Sequence, residues 1–292
     1  MTSELYRRIA FIGAGRVATA LARGFARAGH VVSAVASRNR AAADALAASL
    51  PGCRALGDPQ DAVRGADLVF LTVADDAIPR VAAALEWRAG IAVVHCSGAT
   101  DISALEPAAR SGAQVGGFHP LQTFTDPETA LAGLPGCVVA IEAEEPLATR
   151  LREMAETLGA RPISLPQGAR ALYHCAGGFA AGFIAVLLHE ATCLWRSFGK
   201  SDEEALRALL PLARGTLDSI ARSGTEQALT GPIARGDIGT VEKHVAALAA
   251  LDERTLALYR ALARGAIPIG LAKGTLGPDQ AQRLERILEG LR

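Results

Sequence analysis

A histidine and a glutamine stand three positions apart in the segment GGFHPLQTF, residues 116–124. An imidazole, with an unperturbed pKa of about 6.5, can exchange a proton near neutral pH, and a glutamine amide can orient a substrate by hydrogen bonding. His119 and Gln122 follow an apolar run that predicts a β-strand, so we expect both just beyond its end. An ordinary surface loop could hold the same two residues, and the choice depends on what else converges there.

A second candidate pair opens the long apolar stretch that contains ALYHCAGGFAAG. Arg170 and His174 are four residues apart, which places them on one face of a helix. A guanidinium stays charged and can bind a carboxylate, whereas a histidine can donate a proton. We therefore expect His119 or His174 as the general acid and Arg170 as a substrate ligand. The alternative is that each histidine is a hydrogen-bonded structural residue.

A third candidate lies in the loop ALTGPIARGDIGTV, residues 228–241, which precedes a predicted helix. Thr230 and Arg235, set between glycines, suit the binding of an anion or a carboxylate. A simple connecting loop could have the same composition.

The elements that must position these residues follow from the pattern of apolar runs. Six short runs alternate with Ala-rich helical stretches as far as about residue 165: RIAFIG, VVSAVAS, ADLVFLTV, IAVVHCS, AQVGGF and CVVAIE. This alternation is typical of βαβ units and predicts an α/β fold, a doubly wound, mainly parallel sheet. Beyond Pro166 only helical periodicity remains, so we predict domains at 1–165 and 166–292, the second all-α, with Ser201 capping one helix and Pro211 kinking it.

The first predicted βα turn has the pattern Gly13-x-Gly15-x-x-Ala18. Its glycines allow a tight turn and the close approach of a pyrophosphate, and the helix start at Arg16 and Val17 supplies unpaired N–H groups. The position of the motif predicts a dinucleotide site of the Rossmann type. A glycine turn that binds nothing is the alternative.

The end of the second predicted strand indicates which dinucleotide is bound. An NAD site places an acidic residue there, whereas this chain has the sequence SRNR, that is Ser37, Arg38, Asn39 and Arg40. Guanidinium groups suit a 2′-phosphate, which favours NADP. The same arginines could instead be a solvated start of the next helix.

Ligands of such sheets lie beyond the carboxyl ends of the strands. Thr72, Val73 and Ala74 stand at or directly after the end of the run ADLVFLTV, and Ser97 and Gly98 stand at or directly after the end of the run IAVVHCS. We expect the first three to contact the cofactor, Gly98 to lie under a flat ring, and Ser97 to contact both cofactor and substrate.

The composition excludes several other classes of protein. The 292 residues have a formal net charge of zero, which argues against a nucleic-acid binder. The five cysteines lack metal-site spacing, so we expect no metal and a reducing, cytoplasmic location. The longest apolar run, residues 176–188, is too short to cross a bilayer, and we expect it to be a buried helix of a protein without a membrane partner.

Together, FIGAGRVATAL, ASRNRAAA, GGFHPLQTF, ALYHCAGGFAAG and LTGPIARGDIGTV resemble a group of bacterial Rossmann-like oxidoreductases whose C-terminal helical domain has no assigned function. That group is distantly similar to pyrroline-5-carboxylate reductase, deazaflavin-dependent NADP reductases and β-hydroxyacid dehydrogenases. The resemblance implies NADP binding, a homodimer and an active site between the domains. In the β-hydroxyacid enzymes a Lys and an Asn occupy the helix face that here has Arg170 and His174, so a direct copy of their mechanism is in doubt.

We therefore expect an NADP-dependent reductase of a small carbonyl, imine or hydroxyacid that carries a carboxylate. The nicotinamide would lie over Ser97 and Gly98, and Gln122, Arg170 and Arg235 would orient the substrate. Two alternatives remain: an NADP(H)-binding sensor or assembly protein without turnover, and a methyltransferase, which the sequence SRNR disfavours.

Overall fold

The computed structural model describes residues 6–290, and these divide into two compact units with a boundary at Gly182. The predicted boundary near Pro166 differs from this division by one helix. That helix, which begins at Arg170, contacts the sheet of the first unit through its first turn.

The first unit contains an eight-stranded sheet in the order β3-β2-β1-β4-β5-β6-β7-β8. Its strands are β1 Arg8–Ile12, β2 Val31–Ala36, β3 Arg54–Leu56, β4 Leu68–Leu71, β5 Ala92–His95, β6 Gln114–Leu121, β7 Val138–Ala143 and β8 Arg161–Ser164. The pairs from β3 to β6 are all parallel, β6 and β7 are antiparallel, and β7 and β8 are parallel. The predicted doubly wound, mainly parallel sheet is confirmed.

Helices cover both faces of this sheet. They are α1 Arg16–Arg27, α2 Arg40–Ala48, α3 Pro59–Gly65, α4 Ile78–Ala84, α5 Glu106–Arg110, α6 Pro127–Ala132 and α7 Leu147–Thr157. Helix α8, Arg170–Ala180, follows β8 and is mostly exposed. Successive residues of a strand point to opposite faces, so Phe11 and Phe70 join one core with α1 while their neighbours Ile12 and Leu71 join the other with α4. Two packed cores therefore hold the carboxyl ends of β1, β4, β5 and β6 at one edge.

Strand β6 is longer than we expected, and His119 lies inside it rather than beyond its end. Pairing with β5 stops at Gly117, but pairing with β7 continues to Leu121 and places His119 opposite Ala140. The predicted strand end was wrong because β6 has two neighbours. A strand continues as long as either neighbour forms hydrogen bonds with it. His119 therefore stands on a strand backbone just past the edge of β5.

The second unit is helical, as predicted, with α9 Gly182–Arg196, α10 Asp202–Ala228, α11 Ile238–Leu251, α12 Glu253–Lys273 and α13 Pro278–Glu289. Ser201 caps α10 through a capping box with Glu204, which confirms the predicted helix start. A kink was predicted at Pro211, which lies inside α10. The non-helical backbone angles of α10 are instead at Gly224.

The apolar stretch that we expected to be a buried helix is exposed in the single chain. Arg170–Arg196 has a mean hydropathy of 1.8 and is long and apolar enough to cross a membrane, and none of its most apolar window is buried. The stretch is divided at Ala181, where the backbone leaves the helical region, into α8 and α9. Its burial was predicted wrongly because apolar composition alone does not distinguish two cases. A helix can be buried in the core of its own chain, or it can have an exposed apolar surface that binds another molecule.

Candidate functional site

The glycine turn after β1 leaves room for a ligand at the start of α1. Gly13 has a φ of 107°, and a Cβ there would lie 2.5 Å from the carbonyl oxygen of Thr72, so only glycine fits. At Gly15 a Cβ would meet no atom within 4 Å. Helix α1 begins at Arg16 without a side-chain cap, so its first N–H groups remain available to an anion. This geometry suits a pyrophosphate.

A cavity of about 480 Å³ opens beside this turn. The predicted residues that line it are Gly13, Gly15, Ser37, Arg38, Thr72, Val73 and Ala74. Sequence reasoning missed Gly57, Pro59 and Arg80, which also line it. No sequence pattern indicated a binding role for Arg80, because an arginine on a short helix usually lies in solvent.

The other two residues of SRNR make local contacts instead. Asn39 caps α2 by accepting from the Ala42 N–H. The Nε of Arg40 donates to both carboxylate oxygens of Asp44, at 3.0 and 3.1 Å. Of the four residues, the structure brings only Ser37 and Arg38 to the cavity.

The loop after β5 is held by its own hydrogen bonds. Ser97 is 6% exposed, and its hydroxyl donates to Thr100 Oγ1 while accepting from the N–H groups of Ala99 and Thr100. This turn fixes Gly98, which is buried in the single chain. The Ser97 side chain therefore shapes the loop, and its predicted contacts with cofactor and substrate stay predictions.

Gly98 brings the two predicted catalytic histidines together. A Cβ at Gly98 would lie 2.5 Å from Cδ2 of His174, 2.8 Å from Nε2 of His119 and 2.9 Å from Cε1 of His119. The two imidazole rings are 6.0 Å apart between centroids. A strand end and a helix start thus place both rings against one backbone position.

Arg170 is held by contacts within the first unit, although its Nη2 has no hydrogen-bond partner among residues 6–290. Its side chain is 2% exposed, forms an ion pair with Glu142 and donates from Nη1 to the Ser97 carbonyl oxygen at 2.8 Å. The guanidinium lies over Gly117, where a Cβ would come within 1.7 Å of Nη2. The residue expected to bind substrate instead connects α8 to β7 and to the loop after β5.

Burial keeps two histidines at this edge neutral. Desolvation, together with the charges of His174 and Arg170, lowers the pKa of His119 to about 4, although Asp75 opposes this. Desolvation, Arg170 and His119 lower the pKa of His95 to about 4, against the opposing effect of Asp101. His95 is fully buried at the end of β5, and neither ring nitrogen has a hydrogen-bond partner among residues 6–290. At neutral pH both rings are therefore uncharged.

Four further predicted residues lie elsewhere. The Gln122 amide donates to the Ala130 carbonyl oxygen at 2.9 Å, so it faces α6. Arg16 donates to the Thr125 carbonyl oxygen. Thr230 and Arg235 are exposed on a turn of the second unit, before α11. In the described part of the chain, no cluster of three His, Cys, Asp or Glu side chains is arranged to hold a metal ion.

Tyr173 and Glu142 are two further residues of the site to which the sequence analysis assigned no role. The Tyr173 hydroxyl lies 2.9 Å from Nδ1 of His119, and burial raises the pKa of Tyr173 to about 12. Its position between Arg170 and His174 was the available signal. Glu142 gave none, because it looks like an outward-facing residue of a β-strand.

Two family models match the chain in succession. Residues 4–120 match a Rossmann-like domain, and residues 137–266 match a domain of unknown function, DUF2520. These matches confirm the resemblance to Rossmann-like proteins with a helical domain of unknown function. No protein with a curated description is significantly similar in sequence.

Solved structures share this architecture over most of their length. A protein from Bacteroides fragilis, described as a putative NADP oxidoreductase, is 25% identical with a TM-score of 0.72, covering 90% of this chain and 98% of its own. A reductive aminase from Aspergillus terreus in complex with NADPH and ethyl levulinate is 20% identical with a TM-score of 0.69, covering 96% and 99%. The pyrroline carboxylate reductase of Plasmodium falciparum with NADP bound is 13% identical with a TM-score of 0.58, covering 90% and 98%. At these identities the last two show a shared fold.

Proposed function

We propose that the protein is an NADP-dependent oxidoreductase that acts on a small carbonyl, imine or hydroxyacid. The observation that carries this proposal is the convergence at one sheet edge. A glycine turn with an uncapped helix start lies beside Arg38 after β1, and Gly98, which follows β5 two strands along the same sheet, lies against His119 and His174. Three solved structures with a similar fold are described as NADP-linked oxidoreductases, which supports the same reading.

The cavity residues suit each part of an NADP molecule. The first turn of α1 would bind the pyrophosphate, and Ser37 and Arg38 would bind the 2′-phosphate. The backbone of residues 72–74 would contact the side of the nucleotide. When bound, the cofactor supplies a hydride. Both phosphate-binding features belong to the first unit.

The histidines are proposed to handle the proton. His119 Nε2 and the edge of His174 lie against Gly98, where a donor can reach a substrate oxygen or nitrogen. Arg170, paired with Glu142, is proposed to position α8 and thereby these rings rather than to bind substrate. A substrate carboxylate would then be bound elsewhere, and Thr230 and Arg235 remain the proposed ligands.

Cofactor binding is tested first, because it needs no substrate. Isothermal titration should show NADPH binding at least about tenfold tighter than NADH, since charge-assisted hydrogen bonds contribute about 1.5–3 kcal/mol. Equal affinity for the two would contradict the assignment of the phosphate site.

Turnover is tested by NADPH consumption across a panel of 2-oxo acids, cyclic imines and hydroxyacids. On whichever substrate emerges, His119→Ala and His174→Ala should lower kcat, each by about 100-fold or more if the ring is the general acid. His30→Ala is the control, since that ring precedes β2 and contacts Thr157. Full activity in both variants would refute the placement of the active site. NADPH binding without any turnover would favour the sensor alternative.

We also propose that the protein is a homodimer. Leu172 on α8 is 80% exposed, Val186 and Leu187 on α9 are 46% and 41% exposed, and Leu212 on α10 is 69% exposed. Such surfaces mark an interface. A membrane-spanning role is disfavoured because Arg170 is paired with Glu142 within the first unit and Glu190 with Arg254 within the second. A second copy of the chain is the proposed partner.

Light scattering should give twice the chain mass of 30.2 kDa. The double variant Leu172→Glu, Leu212→Glu should be monomeric, because each new charge would be buried without a partner. A wild-type monomer at micromolar concentration would contradict the proposal. We propose a reducing cytoplasm as its location, consistent with five free thiols among the described residues.

A further inference from the structure

The two ring nitrogens of His119 have different neighbours, and Nδ1 is hydrogen-bonded to Tyr173. The Tyr173 hydroxyl oxygen lies 2.9 Å from His119 Nδ1, and the two rings meet edge to face, 5.5 Å apart between centroids and 88° apart in plane. The other ring nitrogen, Nε2, lies at the Gly98 backbone. The histidine is therefore held between a phenol on one nitrogen and the candidate reaction position on the other.

The direction of this hydrogen bond follows from the donors that must be satisfied. Among residues 6–290, Nδ1 of His119 is the hydrogen-bond partner of the Tyr173 hydroxyl. If Nδ1 carried the proton, the phenol O–H would have no acceptor among residues 6–290 and would have to donate to solvent water. If the phenol donates to Nδ1, both groups are satisfied and the imidazole proton must be on Nε2.

We propose that Tyr173 is a positioning residue that fixes His119 as the Nε2–H tautomer, directed at Gly98, and replaces the proton that Nε2 gives to the substrate. This inference rests on the proposed oxidoreductase function. It adds a tyrosine to the site and specifies the protonation state in which His119 works.

The proton transfers balance as follows. As the substrate oxygen or nitrogen gains an electron pair, the N–H bond at Nε2 breaks and that proton forms the new O–H or N–H bond. Nδ1 then takes the hydroxyl proton of Tyr173, so the imidazole stays neutral, and the phenolate regains a proton from water. Burial raises the pKa of Tyr173 to about 12, still below the value of about 15.7 for water, which an alkoxide resembles as a base. The proton therefore moves toward the stronger base.

The surroundings of His119 oppose an imidazolium. Arg170 and His174 face it from α8, His95 from β5, and Asp75 from the segment after β4. Burial, with smaller effects of His174 and Arg170, lowers the pKa of His119 to about 4, and Asp75 opposes this. A neutral donor should give a kcat that is flat between about pH 5 and 8. A conventional imidazolium acid with a pKa of about 6.5 would instead lose activity as the pH rises through that value.

The chain provides a matched control for a tyrosine–histidine hydrogen bond. In the second unit the Tyr259 hydroxyl lies 3.1 Å from Nδ1 of His244, with the rings 5.8 Å apart and 82° apart in plane. Tyr259→Phe removes the same type of contact away from the proposed reaction position. A general effect of losing a phenol would appear in both variants.

The first experiment needs neither substrate nor cofactor. In protein labelled with ¹⁵N-histidine, the ring signals of His119 are identified by their loss in His119→Gln. We expect the Nε2–H tautomer in the wild type, a mixed or changed tautomer in Tyr173→Phe, and no change at His119 in Tyr259→Phe. A wild-type Nδ1–H tautomer, or a His119 signal that Tyr173→Phe leaves unaltered, would overturn the proposal.

The second experiment uses NADPH and a substrate found in the panel. Tyr173→Phe should lower kcat about 10- to 100-fold, leave NADPH affinity within about twofold and lose the flat pH profile, whereas Tyr259→Phe should retain kcat. Unchanged kcat in Tyr173→Phe would overturn the proton-supplying role. Absence of NADPH binding would refute the proposed function itself and leave the tautomer result standing, so the two failures are distinguishable.

Discussion

Replacing Arg38 by glutamine should weaken NADPH binding about 10- to 150-fold and leave NADH binding within about twofold. The size of this effect follows from one charge-assisted interaction with a phosphate, about 1.5–3 kcal/mol, at about 1.4 kcal/mol per tenfold change in affinity. The Arg38 guanidinium is exposed, lines the cavity, and has no ion-pair partner among residues 6–290. Its charge is therefore free for a ligand that carries a 2′-phosphate.

Arg40, two residues later, is the matched control. Its Nε already donates to both oxygens of Asp44, and its Nη2 donates to the Ala55 carbonyl oxygen at 3.2 Å. Because these donors already have partners and Arg40 does not line the cavity, Arg40→Gln should change NADPH affinity less than about threefold.

Isothermal titration of both cofactors against the wild type and the two variants, at fixed ionic strength, measures these values. The reasoning would be refuted if Arg40→Gln lost as much NADPH affinity as Arg38→Gln. It would equally be refuted if Arg38→Gln weakened NADH binding in proportion, because NADH has no 2′-phosphate.

Three further predictions concern the sheet edge. Gly98→Ala should displace the histidine rings by about 0.6–0.9 Å and lower kcat/KM about 100-fold, whereas Gly178→Ala, where a Cβ meets no atom within 4 Å, should retain activity. The folded pKa of His95 is lowered to about 4 while its unfolded pKa is about 6.5, so the unfolded state binds more protons and stability falls as the pH falls between those values. From pH 7 to 5 this loss is about 2 kcal/mol, and urea unfolding should show it reduced in His95→Leu. Arg170→Met should cost about 3–5 kcal/mol by leaving Glu142 buried without its partner, and the double variant with Glu142→Gln should recover much of it in the same assay. Equal losses in the single and double variants would count against the ion pair.

The parts of this protein that were predictable from sequence depend on local chemistry. Apolar alternation predicted six of the eight strands, all except β3 and β8. The glycine pattern predicted a turn, and the structure shows that Gly13 must be glycine because a Cβ there would meet the Thr72 carbonyl oxygen. Ser201 and Glu204 formed the capping box because both partners lie within four residues. Such features require only neighbours along the chain, so periodicity and propensity are sufficient to find them.

The roles of the polar residues at the sheet edge were decided by tertiary structure. Arg170 has the same charge and helix position whether it binds a ligand or Glu142, and only the antiparallel register that sets Glu142 opposite Gly117 distinguishes the two. Tyr173 is 54 positions from His119, so no local pattern could report their hydrogen bond. Sequence alone indicated that His119, Arg170 and His174 lie close together. It wrongly included Gln122 and gave no signal for Glu142. Burial and long-range pairing depend on the order of the strands. They decided which polar side chains are paired within the protein and which remain available to a substrate or cofactor.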